Sequence, residues 1–197
     1  MTIIGITGGT GCGKTTALNT LSELGALILD CDEIYHELTV SDADMRRELT
    51  ERFGNVYDGA ALNRKRLGSV VFADAEALRA LGEITHKYVR REVGARLARH
   101  ERGGGTLAAI DAIALLEGKL KKLCSFTVGV TAPREVRIQR IMARDGIDRA
   151  YAEKRVDAQK PNEYFERGCT YTLSNDGDLP SFQDKCKKFF TEVLKNV

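Results

Sequence analysis

The chain has 197 residues, enough for one ordinary domain with an insertion and too few for two full ones. Apolar residues make up 43% and charged residues 29%, and 30 basic against 28 acidic side chains leave a net +2. That balance excludes a disordered chain and offers no basic face for nucleic acid or an anionic membrane.

Met1 to Gly5 lacks the basic-then-apolar pattern of a signal peptide, and no apolar run approaches the ~20 residues of a bilayer span. Cys12, Cys31, Cys124, Cys169 and Cys186 include no CxxC pair, so neither a disulfide framework nor a zinc site is indicated. A cytoplasmic protein is expected, a monomer or weak homo-oligomer, with no nucleic-acid or membrane partner.

In chain order, Ile3–Thr7 is a short β-branched run that stops at Gly8-Gly9 and reads as a buried strand. Lys14–Leu24 has helical apolar spacing, with Gly25 as its stop. Ala26–Leu29 is a second strand, ending at Asp30. Residues 32–101 are mostly helical in pattern, interrupted near Ser41, Gly54, Gly59 and Asp74. Thr106–Ile110 and Phe126–Val130 are buried strands, and Pro133 opens a helix as a residue at the first helical position. Tyr171–Leu173 is a weak fifth strand, and Phe182–Leu194 a closing helix.

Short strands alternating with helices predict an α/β fold with a parallel five-stranded sheet covered on both faces. The helical stretch after the second strand is too long for one crossover and reads as an insertion. The expected organisation is a nucleotide-binding core from 1–31, 103–144 and 169–197, a helical insertion over 32–102, and a small mobile, charged segment over 145–168.

Gly8-Gly9-Thr10-Gly11-Cys12-Gly13-Lys14-Thr15 fits G-x-x-x-x-G-K-[ST] between a buried strand and a helix. Glycines let backbone N–H groups wrap a phosphate, and the helix start adds its positive end. Lys14 supplies a charge for the β- and γ-phosphates, and the Thr15 hydroxyl a magnesium ligand; Gly8 through Thr16 are the expected nucleotide-binding residues. The motif predicts a nucleoside triphosphate with Mg2+, and by itself does not choose between a GTPase, an ATPase and a kinase. No N-K-x-D guanine-reading element appears, and the chain is too small for a motor ATPase.

Asp30 and Asp32 stand at the C-terminal end of the second strand, the edge that faces the ligand crevice in an open α/β sheet. If that strand lies beside the first, a carboxylate there reaches an acceptor hydroxyl near the γ-phosphate; the alternative is that one aspartate caps the next helix, a role that suits Asp30 more than Asp32. Asp111 ends an apolar strand, as a magnesium-holding aspartate or a plain loop residue would. Arg137, Arg140 and Arg144 share one helix face, set either for phosphate or for solvent and the nearby Glu135 and Asp145. Cys12 sits at a helix start, where a thiol pKa tends to fall.

These motifs resemble the dephospho-coenzyme A kinase family in order along nearly the whole chain. The family's G-L-T-G-G-I-G-S-G-K-S is similar to Gly5–Thr15, its D-A-D-x-I to Asp30–Ile34, and its L-x-R-x-x-L-x-x-x-V-F to Leu62–Phe72. Its A-P-L-L-F-E resembles Ala112–Glu117, its Q-x-x-R-x-x-x-R resembles Arg137–Arg144, and its asparagine-glycine turn resembles Asn175-Asp176-Gly177. The chain departs from the pattern at Lys87 after His86, at Ile113, around Gln159-Lys160-Pro161 and over Gly168–Asn175.

The resemblance implies ATP-dependent phosphorylation of the ribose 3′-hydroxyl of dephospho-coenzyme A, the last step of coenzyme A synthesis. It implies Asp32 as base, Arg140 on phosphate, and Asn175 near the nucleotide. Arg64 and His86 become acceptor contacts, the insertion the acceptor site, and 145–168 the lid. A kinase for another small acceptor, or a nucleotide-binding regulator, is the alternative; Asp32 favours an enzyme, because a binder needs no base.

Overall fold

The computed structural model describes residues 1–195, and these form two compact units, 1–29 with 100–195, and 30–99. The first unit is built on a five-stranded parallel sheet. Its strands are β1 (Thr2–Thr7), β2 (Leu27–Asp30), β5 (Leu107–Asp111), β6 (Phe126–Thr131) and β7 (Tyr171–Ser174), in the order β2-β5-β1-β6-β7. The condition that β2 lie beside β1 is not met: β5 stands between them. The chain therefore winds outwards from β1 in both directions, and the crevice of such a sheet opens at the carboxyl end of that strand.

The inner strands are mostly apolar, with a few buried threonines, as strands buried on both faces are. Ile4, Ile6, Val128, Val130, Ala108 and Ile110 are fully buried. Helix α1 (Lys14–Glu23) contributes Ala17, Leu18 and Leu21 to that core, and α9 (Leu179–Lys195) contributes Phe182, Cys186 and Phe190. Helix α1 ends in a Schellman turn: Ala26 N–H donates to Leu21 O at 2.9 Å and Gly25 N–H to Ser22 O at 2.9 Å, with Gly25 at φ 88°. This turn delivers the chain straight into β2.

On the other side of the loop, α6 (Arg134–Asp145) follows β6, with Pro133 one residue outside it as N-cap rather than in its first turn. Ile138 and Ile141 of α6 pack against Ala152 and Val156 of α7 (Arg149–Asp157). Phe165 of α8 (Asn162–Gly168) is buried as well, so the charged segment 145–168 is helical and carries three buried apolar side chains.

The second unit is helical except at one place. It holds α2 (Cys31–Ser41), α3 (Ala43–Phe53), α4 (Arg64–Val71) and most of α5 (Ala75–Arg102). Between α3 and α4, the interruption expected near Gly54 and Gly59 is an antiparallel hairpin, β3 (Tyr57–Asp58) with β4 (Ala61–Leu62). Two-residue strands carry too little pattern to be read from sequence.

Candidate functional site

Gly8–Thr15 leaves the carboxyl end of β1 and enters α1. Gly13, the N-cap, has φ 102°, a conformation that costs a residue with a side chain, and a Cβ there would lie 2.3 Å from Asn175 Nδ2. Among the described residues, no protein acceptor takes the N–H of Gly11, Gly13 or Thr15. These donors and the start of α1 form a concave nest of the kind that binds phosphate oxygens. Lys14 Nζ donates to Gly8 O at 3.2 Å, so the ammonium is held over the loop.

The loop is supported by side chains from distant parts of the same unit. Asn175 is buried; its Nδ2 donates to Cys12 O at 2.9 Å, and its Oδ1 accepts from Arg140 Nη2 at 3.1 Å. Arg140 also donates to Gly11 O at 3.4 Å and Gly177 O at 3.1 Å. Both residues expected at the nucleotide thus make their resolved contacts with the backbone of the loop and the 175–177 turn. Arg144 pairs with Asp145 at 2.6 Å instead, the counter-charge arrangement rather than a phosphate face. In the charged segment 145–168, Arg149 pairs with Glu135 and Arg155 with Asp145.

Sequence reasoning missed the loop's deepest supports. Arg137 is 4% exposed and donates from Nε to Thr10 O at 2.9 Å and from Nη2 to Gln159 Oε1 at 2.6 Å. Burial lowers the pKa of its guanidinium from the usual arginine value. The helical face that Arg137 shares with Arg140 was the available signal; that it lies beneath the loop was not in the sequence.

Cys12 reverses its expectation. Burial raises its thiol pKa, and this outweighs the lowering by Lys14, the Lys14 backbone and Arg137. Thr15 is exposed, and no hydrogen bond engages its hydroxyl among the described residues; Asp111 ends β5 in register with Ile6 of β1. One hydroxyl and one carboxylate are hard oxygen donors of the kind magnesium uses alongside waters and substrate phosphates. Among the described residues no cluster of three or more His, Cys, Asp or Glu is arranged to hold a metal by protein ligands alone.

In the second unit, Asp30 is the cap of α2: its Oδ1 accepts from the N–H of Asp32 at 2.8 Å and Glu33 at 3.1 Å. The capping role falls to Asp30. Asp32 lies exposed in the first turn, and among the described residues no hydrogen bond or ion pair engages its carboxylate. Arg64 Nη2 lies 3.2 Å from His36 Nδ1, and its charge lowers the Tyr35 phenol pKa against the larger raising effect of burial. His86 is exposed on α5 beside Lys87, which pairs with Glu48.

The profile of the dephospho-CoA kinase family matches residues 2–181. The chain belongs to this family.

Dephospho-CoA kinase from Geobacter sulfurreducens is 35% identical over 194 residues, covering 98% of each chain. The crystal structure of TT1252 from Thermus thermophilus superposes with a TM-score of 0.79 at 33% identity, covering 97% of each chain. Dephospho-CoA kinase from Campylobacter jejuni, at 23% identity and a TM-score of 0.70 over 98% of each chain, shares the fold. Family membership makes the chain a transferase of the kinase class, and the glycine loop at the end of β1 is the element a kinase of this fold needs for its phosphoryl donor.

Proposed function

We propose that the chain transfers the γ-phosphoryl group of ATP to the ribose 3′-hydroxyl of dephospho-coenzyme A, giving coenzyme A and ADP. The observation that carries this reading is the Gly8–Thr15 nest at the carboxyl end of β1, in a chain of the dephospho-CoA kinase family.

Phosphoryl transfer asks for alignment and charge neutralisation more than for covalent help. The N–H groups of Gly11, Gly13 and Thr15 cradle the β-phosphate. Lys14 swings from Gly8 O onto the β- and γ-oxygens, and Gly8 to Thr16 together form the donor site. Thr15 and Asp111 would hold Mg2+, which when bound neutralises the phosphate oxygens. Arg140 and Asn175 shape the site by holding the Gly11 and Cys12 carbonyls.

On the acceptor side, Asp30 takes the capping duty, and among the described residues no hydrogen bond or ion pair holds the Asp32 carboxylate, as suits a base that receives the hydroxyl proton. Arg64 and His86 are acceptor contacts in this reading. The segment 145–168 is the lid, closing by movement of α7 and α8 rather than by ordering of a loop. The five free cysteines suit a reducing cytoplasm.

The test is ADP release from ATP and Mg2+ across dephospho-coenzyme A, adenosine, AMP, adenylyl sulfate, pantetheine and shikimate. Stimulation by dephospho-coenzyme A above the others is expected. Stimulation by another acceptor alone moves the chain to a different small-molecule kinase, and stimulation by none makes it a nucleotide-binding regulator.

A further inference from the structure

A buried cation is costly unless a partner offsets its lost hydration. Arg137 is 4% exposed, yet among the described residues no carboxylate stands within ion-pair distance. Asp157, whose charge it feels from farther off, is taken by Arg134 at 2.8 Å. The acceptors it meets are neutral: Thr10 O and Gln159 Oε1.

Gln159 closes the arrangement from the other side. Its Oε1 also accepts the Thr10 N–H at 2.8 Å, and its Nε2 donates to Thr10 Oγ1 at 2.7 Å. The backbone N–H, the backbone carbonyl and the hydroxyl of Thr10 are thus all held by two side chains. Those side chains lie 127 and 149 residues away in sequence. The guanidinium lies so close to the loop that a Cβ on Gly9 would fall 2.3 Å from Arg137 Nη2 and 2.7 Å from Cζ.

We infer that Arg137 and Gln159 act as one positioning unit for ATP: they lock Thr10, and through it the orientation of the Gly11, Gly13 and Thr15 N–H groups. The buried charge of Arg137 adds to the positive potential of the loop, where a triphosphate would supply its missing counter-charge. Gln159, just past α7, ties the 145–168 segment to the phosphate loop through the same residue. The inference rests on reading Gly8–Thr15 as the ATP phosphate loop.

The test is a double-mutant cycle of Arg137→Met and Gln159→Ala, with KM for ATP, KM for the acceptor, kcat and Tm measured for each variant. Two residues acting through one contact give non-additive losses. Each single variant should raise KM for ATP roughly tenfold, within the range of such couplings. KM for the acceptor should stay within about twofold, and the double variant should be no worse than Arg137→Met alone. Arg137→Lys should rescue only in part, because an ammonium cannot make both directed bonds. If Arg137→Met does not fold, Arg137→Lys takes its place in the cycle. Multiplying losses, or equal rises in both KM values, overturn the unit. Wild type that binds ATP alongside variants that match it overturns this inference alone. Wild type that binds no ATP overturns the functional reading as well.

Discussion

Asp30 and Asp32 stand two residues apart, and the structure gives them different work. Asp30 satisfies the open N–H groups at the start of α2, so Asp30→Ala should lower stability by about 1 kcal/mol, read from a denaturant melt. Asp32 bears no such duty. Asp32→Asn should leave the melt unchanged and ATP binding intact while cutting turnover by roughly 10²–10⁴, the scale of acid–base help. Turnover within about threefold of wild type, well short of that range, would remove Asp32 from catalysis. Lys14→Ala should abolish turnover with the fold intact, since among the described residues the one hydrogen bond of the ammonium is to Gly8 O, on the loop itself. The raised pKa of Cys12 favours the neutral thiol, so its thiolate forms only above the ordinary thiol range. Alkylation of Cys12, followed by mass spectrometry, should lag behind a free thiol at pH 8 and catch up only as the pH rises.

Among the elements, α6 holds the phosphate loop with one face and α7 with another. Arg137 and Arg140 reach the loop, while Ile138 and Ile141 bury against Ala152 and Val156. Ile141→Ala should therefore cost about 2–5 kcal/mol in a chemical melt, the range for an emptied core position. Gly9→Ala is a sharper probe. Its Cβ would meet the guanidinium of Arg137, so KM for ATP should rise as in Arg137→Met, and the two changes combined should add little. An ordinary KM for ATP in Gly9→Ala would mean that the guanidinium can move aside without cost to the loop.

Across the whole molecule, the proposed reaction needs a site that excludes water once both substrates are bound, and 145–168 is the segment that would close it. Its attachment rests on Ala152, Val156, Phe165 and the Gln159 contacts. Surface pairs such as Arg149–Glu135 add little to that hold. Hydrogen exchange over 149–168 should slow when ATP and acceptor are added together, and slow less with either alone. Equal exchange in all three conditions would exclude a lid.

The phosphate loop was legible in the sequence because its chemistry is carried by consecutive residues: the strand, the glycines, Lys14 and Thr15 are local neighbours. The alternation of strands and helices was legible for the same reason, since periodicity is a local property. The pairing of β2 with β5 was not, because strand order is settled by which faces bury together. The β3–β4 hairpin is too short to leave a pattern. That Asp30 caps α2 depended on local geometry, although the family pattern had already pointed to Asp32 as the base, and the pKa of Cys12 depended on its burial. Arg137, Gln159 and Asn175 reach the loop across 127, 149 and 163 residues. An arginine on a helix reads the same whether water or a phosphate loop lies over it; only the tertiary structure decided which, by burying it.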